Sequence, residues 1–180
     1  RIRDTYITSM EEIVTDDKEI YGQLKQYLHE NQPEDENRLR LYEDAMLPLA
    51  KLYQIDKAME EALSTHVWLK SGGYLVIEPT EAMTVIDVNT GKYTGKKNKR
   101  DTILKINLEA AAEISHQMRL RNLSGIILVD FIDMEEKEDQ ELLMKTLAVQ
   151  CARDPVKTTV VDMTRLNLVE ITRKKIRKPL

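Results

Sequence analysis

The chain has 180 residues, 42% hydrophobic and 32% charged, with a formal net charge of −4. That is enough for one or two modest domains with a real core, in the proportions of an ordinary globular protein. No apolar run approaches the roughly eighteen residues a membrane span needs, and no signal-peptide pattern is present, so the expected compartment is the cytoplasm. The single cysteine, Cys151, cannot form an intrachain disulfide or hold a structural zinc ion alone. Lying in an apolar stretch, it reads as a buried thiol. Net acidity argues against whole-surface attraction to nucleic acid, but a local basic patch can still bind phosphate. A chain opening at Arg1 rather than methionine is expected to be an excised fragment.

Met10 to His29 is helical in character, with Ile13, Ile20, Leu24, Tyr27 and Leu28 at helix-like spacing. Asp16 or Asp17 is a candidate cap for the second of two short helices there. Asn31 to Asp35 is an acidic loop broken by Pro33. Arg38 to Tyr42 alternates and predicts a half-exposed strand. Ile55 to Leu63 predicts a helix with Ile55, Ala58, Met59 and Ala62 on one face. The character then changes, and a subdomain boundary is expected near Leu63, dividing residues 1–62 from 63–180.

A β-meander follows: His66 to Lys70, a Ser71-Gly72-Gly73 turn, Tyr74 to Ile77, a second turn, and Met83 to Val88. Asp101 to Arg121 predicts a long helix, with Asp101 or Thr102 as its cap and Ile106, Ala110, Ile114 and Met118 down one side. A strand from Gly125 comes next, then a helix from Glu135 to about Cys151. Thr158 to Val161 suits a short strand, Leu166 to Ile171 is open between helix and strand, and residues 173–178 form a basic tail. The order β-β-β-α-β-α-β predicts a mixed α/β (α+β) layer structure.

Two aspartates stand at the polar ends of apolar strands, Asp87 in Thr84-Val85-Ile86-Asp87-Val88-Asn89 and Asp130 in Gly125-Ile126-Ile127-Leu128-Val129-Asp130. A carboxylate in such a run is costly to bury unless something pairs with it. Two brought together repel unless a cation lies between them. Mg²⁺ prefers this donor set, with its remaining positions left to water and phosphate oxygens. Each aspartate could instead cap a following helix; together they point to a metal-dependent phosphoryl-transfer site. Asn89 shares the face of Asp87, because alternate strand residues do. There it can hold a water or a phosphate oxygen, although Asn89-Thr90-Gly91 is also a good turn sequence. Asp133 has odd parity relative to Asp130 and is expected to cap the next helix.

The segment 91–100 crowds Lys92, Lys96, Lys97, Lys99 and Arg100 together directly after this site. Such a loop is either a solvated surface or a set of contacts to a nucleic-acid backbone. Arg119 and Arg121 complement the dipole at the end of the long helix. Glu109 and Glu113 are expected on its solvent face or against the basic loop. His29, His66 and His116 show no ligand spacing.

Taken together, Ser71-Gly72-Gly73, Ile86-Asp87-Val88-Asn89, Asn107-Leu108-Glu109-Ala110-Ala111, Arg119-Leu120-Arg121-Asn122-Leu123 and Val129-Asp130-Phe131-Ile132-Asp133-Met134 resemble the catalytic core of the ribonuclease E/G family. The resemblance covers essentially the whole chain. It implies that residues 1–62 are the later part of an RNase-H-like structural subdomain and residues 63–180 a DNase-I-like catalytic subdomain. It further implies that Asp87 and Asp130 bind Mg²⁺ and that Asn89 orients the attacking water or the scissile phosphate. The implied reaction is endonucleolytic cleavage of single-stranded RNA, often rich in A and U, leaving a 5′-phosphate and a 3′-hydroxyl. Lys157 aligns with a family arginine that holds the substrate's 5′-monophosphate; lysine keeps the charge and loses the planar fork. The family's oligonucleotide-binding module would precede Arg1, and its Cys-Pro-x-x-Cys zinc link would begin beyond Leu180. A homo-oligomeric parent is therefore implied, with a fragment that could be monomeric and feebly active. A second reading, from another class, is a non-catalytic RNA-binding or assembly module in which the aspartates serve only as caps.

Overall fold

Buried residues alternate along the central strands and recur every fourth position along the helix between them, and from this pattern the larger part of the fold is built. The computed structural model describes residues 11–91 and 99–176. The chain divides into two compact units, Arg1–Met59 and Glu60–Leu180.

In the first unit, β1 (Ile13–Thr15) pairs in parallel with β2 (Leu39–Leu41). Between them run α1 (Lys18–Asn31) and a 3-10 helix (Pro33–Arg38). The Asp17 carboxylate caps α1 by accepting from the amides of Glu19 at 2.8 Å and Ile20 at 2.9 Å. Ile13, Leu28 and Leu39 form a small core there, flanked by Tyr21, Leu24 and Tyr27. The expected first helix is thus a strand: β-branched Ile13, Val14 and Thr15 pair with β2 rather than coil. Two short helices follow, α2 (Leu49–Leu52) and α3 (Ile55–Leu63), and the unit division falls within α3.

The second unit holds a six-stranded mixed sheet in the order β3-β4-β5-β6-β8-β7. Its members are β3 (His66–Trp68), β4 (Tyr74–Pro79), β5 (Met83–Asn89), β6 (Gly125–Asp130), β7 (Thr158–Met163) and β8 (Leu168–Arg173). The first three form an antiparallel meander. A crossover through α4 (Lys99–Leu120) then brings β6 alongside β5 in parallel, the connection a parallel pair requires. Helix α5 (Lys137–Cys151) leads to β7, and β8 returns between β6 and β7, antiparallel to both. The segment 166–171, open between helix and strand in the sequence, therefore supplies an interior strand.

Ile106, Ala110, Ile114 and Met118 of α4 and Leu143, Leu147 and Cys151 of α5 pack against Leu75, Ile77, Ile86, Val88, Ile127, Val129, Val169 and Ile171 of the sheet. Both helices thus cover one sheet face, and the alternate residues, Asp87 and Asp130 among them, project from the other. Helix α4 begins at Lys99, ahead of the expected caps, so Asp101 lies in its first turn. The N-cap position of helix α5 is Glu136, whose side chain makes no capping hydrogen bond, and not Asp133. No helix among the described residues is long and apolar enough to cross a membrane.

Candidate active site

Strand pairing sets the centre of the site. Asp87 and Asp130 are direct partners in the parallel β5–β6 register, so their backbones lie about 4.8 Å apart with both side chains on the face the helices leave uncovered. Asp130 is exposed and ends its strand, while Asp87 is half-buried two residues before the end of β5. Partial burial, and after it the charges of Asp87 and Asp133, push the Asp130 carboxyl above its ordinary range. Asn89 donates its side-chain amide to the Asp87 carboxylate at 2.7 Å, so the three residues form one cluster.

The chain beyond Asp130 is pegged in place. Asn107 of α4 is fully buried and grips the backbone of Ile132 from both sides, donating to its carbonyl at 2.8 Å and accepting from its amide at 3.1 Å. Gln140 of α5 donates to the Met134 carbonyl at 2.8 Å. Asp133 is exposed and accepts from the Asn167 side chain at 3.1 Å, in the turn joining β7 to β8. Asn167 precedes Leu168, the strand partner of Asp130, so Asp133 lies beside the pair, where the sequence suggested a cap.

Two tight turns border the other side. The Glu109 carboxylate accepts from the amides of Lys70 at 2.7 Å and Ser71 at 3.0 Å. Burial pushes this carboxyl up, but the hydrogen bonds from Ser71 and Lys70, with the nearby charge of Lys105, outweigh it and leave the group below its ordinary range. Glu109 is therefore a staple for the turn before β4, not a solvent-facing acid. Gly91 has φ +62°, and a Cβ there would meet the Gly72 carbonyl oxygen at 2.3 Å. Only glycine lets the chain leaving Asn89 pass so close to that turn.

The basic residues divide. Lys92, Lys96 and Lys97 lie outside the described residues. Lys99 is exposed at the start of α4. Arg100 forms a two-pronged ion pair with Asp139 at 2.8 and 3.1 Å, which takes up the guanidinium fork. Lys157 is exposed just ahead of Thr158, and Thr158 aligns with Arg173 and so with Gly125, at the opposite end of the sheet from Asp130. It does not join the aspartate cluster. Arg121 donates to Gln117 and to the Ser64 carbonyl, and Arg119 donates to Ser115, so both are engaged within the fold.

The roles of Asn107 and Glu109 were not read from sequence, although Asn107 carried a usable signal. It sits four residues before Ala111 on the core stripe of α4, where a polar side chain requires a partner.

The donor chemistry, two carboxylates and an amide, is of the kind a hard divalent cation prefers. Among the described residues no group of three or more His, Cys, Asp or Glu is arranged to hold a metal ion. The fold that carries the Asp87–Asp130 pair is a mixed six-stranded sheet backed on one face by two helices.

The chain belongs to the Ribonuclease E/G family, whose profile matches residues 1–176. It is 43% identical over 179 residues to Ribonuclease G of Haemophilus influenzae (strain ATCC 51907 / DSM 11121 / KW20 / Rd), covering 99% of this chain and 36% of that protein. Ribonuclease G of Escherichia coli (strain K12) is 39% identical with the same coverage. Ribonuclease E of Nostoc sp. (strain PCC 7120 / SAG 25.82 / UTEX 2576) is 40% identical, covering 97% of this chain and 26% of that protein. The chain spans about a third of the length of the ribonuclease G relatives it matches.

Proposed function

We propose that this chain is the core of a Mg²⁺-dependent endoribonuclease that cleaves single-stranded RNA to leave 5′-phosphate and 3′-hydroxyl ends, in RNA processing or decay. The observation that carries the reading is the Asp87–Asp130 register pair, two carboxylates side by side on the sheet face opposite α4 and α5. Family membership supports it. Asp87 and Asp130 are the residues that would hold Mg²⁺, which when bound supplies charge stabilisation at the phosphate and lowers the pKa of water. Asn89, tied to Asp87, presents its remaining hydrogen-bonding capacity to the attacking water or the scissile phosphate. Asn107 and Gln140 fix the segment after Asp130 and so limit the motion of its carboxylate. Lys92, Lys96, Lys97 and Lys99 neutralise backbone phosphates, and Arg100, paired with Asp139, anchors the base of that segment. Lys157, remote from the pair, would meet the substrate's 5′-monophosphate rather than the scissile bond. On this reading the second unit is the DNase-I-like catalytic subdomain and the first the later part of an RNase-H-like one, within a cytoplasmic homo-oligomer.

The test is a cleavage assay on a 5′-monophosphorylated, A/U-rich oligoribonucleotide, beside a binding titration at two salt concentrations. Asp87→Asn or Asp130→Asn in the full-length protein is expected to abolish Mg²⁺-dependent cleavage with RNA affinity retained, since removing negative charge cannot weaken attraction to phosphate. Joint replacement of Lys96 and Lys97 by Ala is expected to weaken binding and flatten its salt dependence while chemistry persists at saturating RNA. Cleavage that survives both aspartate changes would leave only the binding-module reading.

A further inference from the structure

Trp68 is 71% exposed, on the edge strand β3 of a sheet whose other large side chains are mostly covered. Its neighbour Val67 packs into the core, so the strand is oriented and the indole is held outward. The ring is not loose. It lies against Tyr74 of β4 with centroids 5.1 Å apart, and His66 touches the same tyrosine at 5.8 Å, both within the range of stable ring pairs.

Register connects this aromatic cluster to the acidic pair. Trp68 is the partner of Tyr74, and Tyr74 is the partner of Asn89, in one row across three strands. The adjacent row runs His66, Val76, Asp87, Asp130. Partners share a face, so the rings and the carboxylates project from the same side of the sheet. Strands lie about 4.8 Å apart, so the Trp68 backbone is on the order of 10 Å from that of Asn89.

We propose that Trp68, propped by Tyr74 and His66, is a stacking platform for an unpaired nucleobase of the RNA strand whose phosphate reaches Asp87 and Asp130. The proposal rests on the nuclease reading of those aspartates and adds a base-binding subsite to it. An exposed indole face binds any base by its π-surface, which suits a substrate read as single-stranded rather than by base edges. A protein partner fits less well, because the rows around Trp68 interrupt Tyr74 and Val76 with His66, Asn89 and Asp87, and so form no continuous apolar patch.

Trp68 is the sole tryptophan, so its own fluorescence reports on the platform. The 180-residue chain is titrated in EDTA with a 5′-monophosphorylated A/U-rich oligoribonucleotide and with copies in which one nucleotide at a time is abasic. The intact RNA is expected to quench Trp68, and one abasic position to remove the quenching and weaken binding about tenfold. Trp68→Ala is expected to weaken binding of intact RNA by the same factor with no further loss for that abasic RNA, and Trp68→Phe to recover most of it. Absence of quenching at saturating RNA, or quenching indifferent to every abasic position, overturns the platform. So does emission that follows protein concentration alone, with self-association lost in Trp68→Ala, since the ring would then face another copy. RNA found cleaved in EDTA overturns the metal-dependent reading instead, and the abasic comparison, repeated with Asp87→Asn protein, still decides the platform.

Discussion

Asn107 has both ends of its side-chain amide committed to the backbone of Ile132, two residues beyond Asp130. Asn107→Ala strands a backbone amide and a carbonyl without partners in a closed space, and should destabilise the fold by about 1–3 kcal/mol. A urea titration of the variant checks this through its midpoint. Asp130 points the other way. Burial and the charges of Asp87 and Asp133 raise its pKa, so the ionised group costs the folded state stability at neutral pH. Asp130→Asn should therefore raise the melting temperature in EDTA, while Mg²⁺, which should stabilise the native protein, should leave the variant unmoved. A variant that melts lower in EDTA would contradict this account of the pair. Both aspartates were legible in the sequence because a carboxylate inside a β-branched apolar run stands out. Glu109 and Arg100 were not, since their partners lie 38 and 39 residues away and nothing local announces them.

Among the elements, α4 and the strands β4, β5 and β6 were legible in the sequence: every fourth residue is apolar down one side of the helix, and the strands are short apolar, β-branched runs. Strand β8 was ambiguous because Leu168-Val169-Glu170-Ile171 satisfies either period over so few residues, and β1 was absorbed into a helix because three residues carry no period. What secures β8 is tertiary. Arg173 at its end and Asp154 before β7 form a buried ion pair at 2.7 Å, with side chains only 3% and 1% exposed. Arg173 also donates to Asn122 and to the Leu123 carbonyl just after α4. Burial pushes the Asp154 carboxyl up, but the Arg173 guanidinium, the Val156 amide and the Thr158 hydroxyl outweigh it and hold the pKa below its ordinary value. A depressed folded pKa contributes stability above the ordinary aspartate value of about 3.9 that is lost as pH falls through the folded one. Asp154→Ala leaves the guanidinium buried and unpaired and should cost about 3–5 kcal/mol at neutral pH. The gap to the native protein should narrow in denaturant melts run progressively below about pH 3.9; a gap independent of pH would remove Asp154 from this role.

At the scale of the molecule, the second unit is a sheet with one face committed to its core and the other carrying Asp87 and Asp130. The meander sets Asp87 and Asn89, the α4 crossover returns β6 beside β5, and the parallel register makes Asp130 the partner of Asp87. The central claim is that these two carboxylates act as one unit on one ion. A double-mutant cycle on the cleavage rate measures this directly, with Asp87→Asn, Asp130→Asn and the pair assayed in the full-length protein at saturating RNA and Mg²⁺. Groups that act as a unit lose the same function once, so the double variant should be no slower than the slower single variant. Losses that multiply, so that the double variant is slower than either by the product of the single effects, would mean independent roles and contradict the shared site.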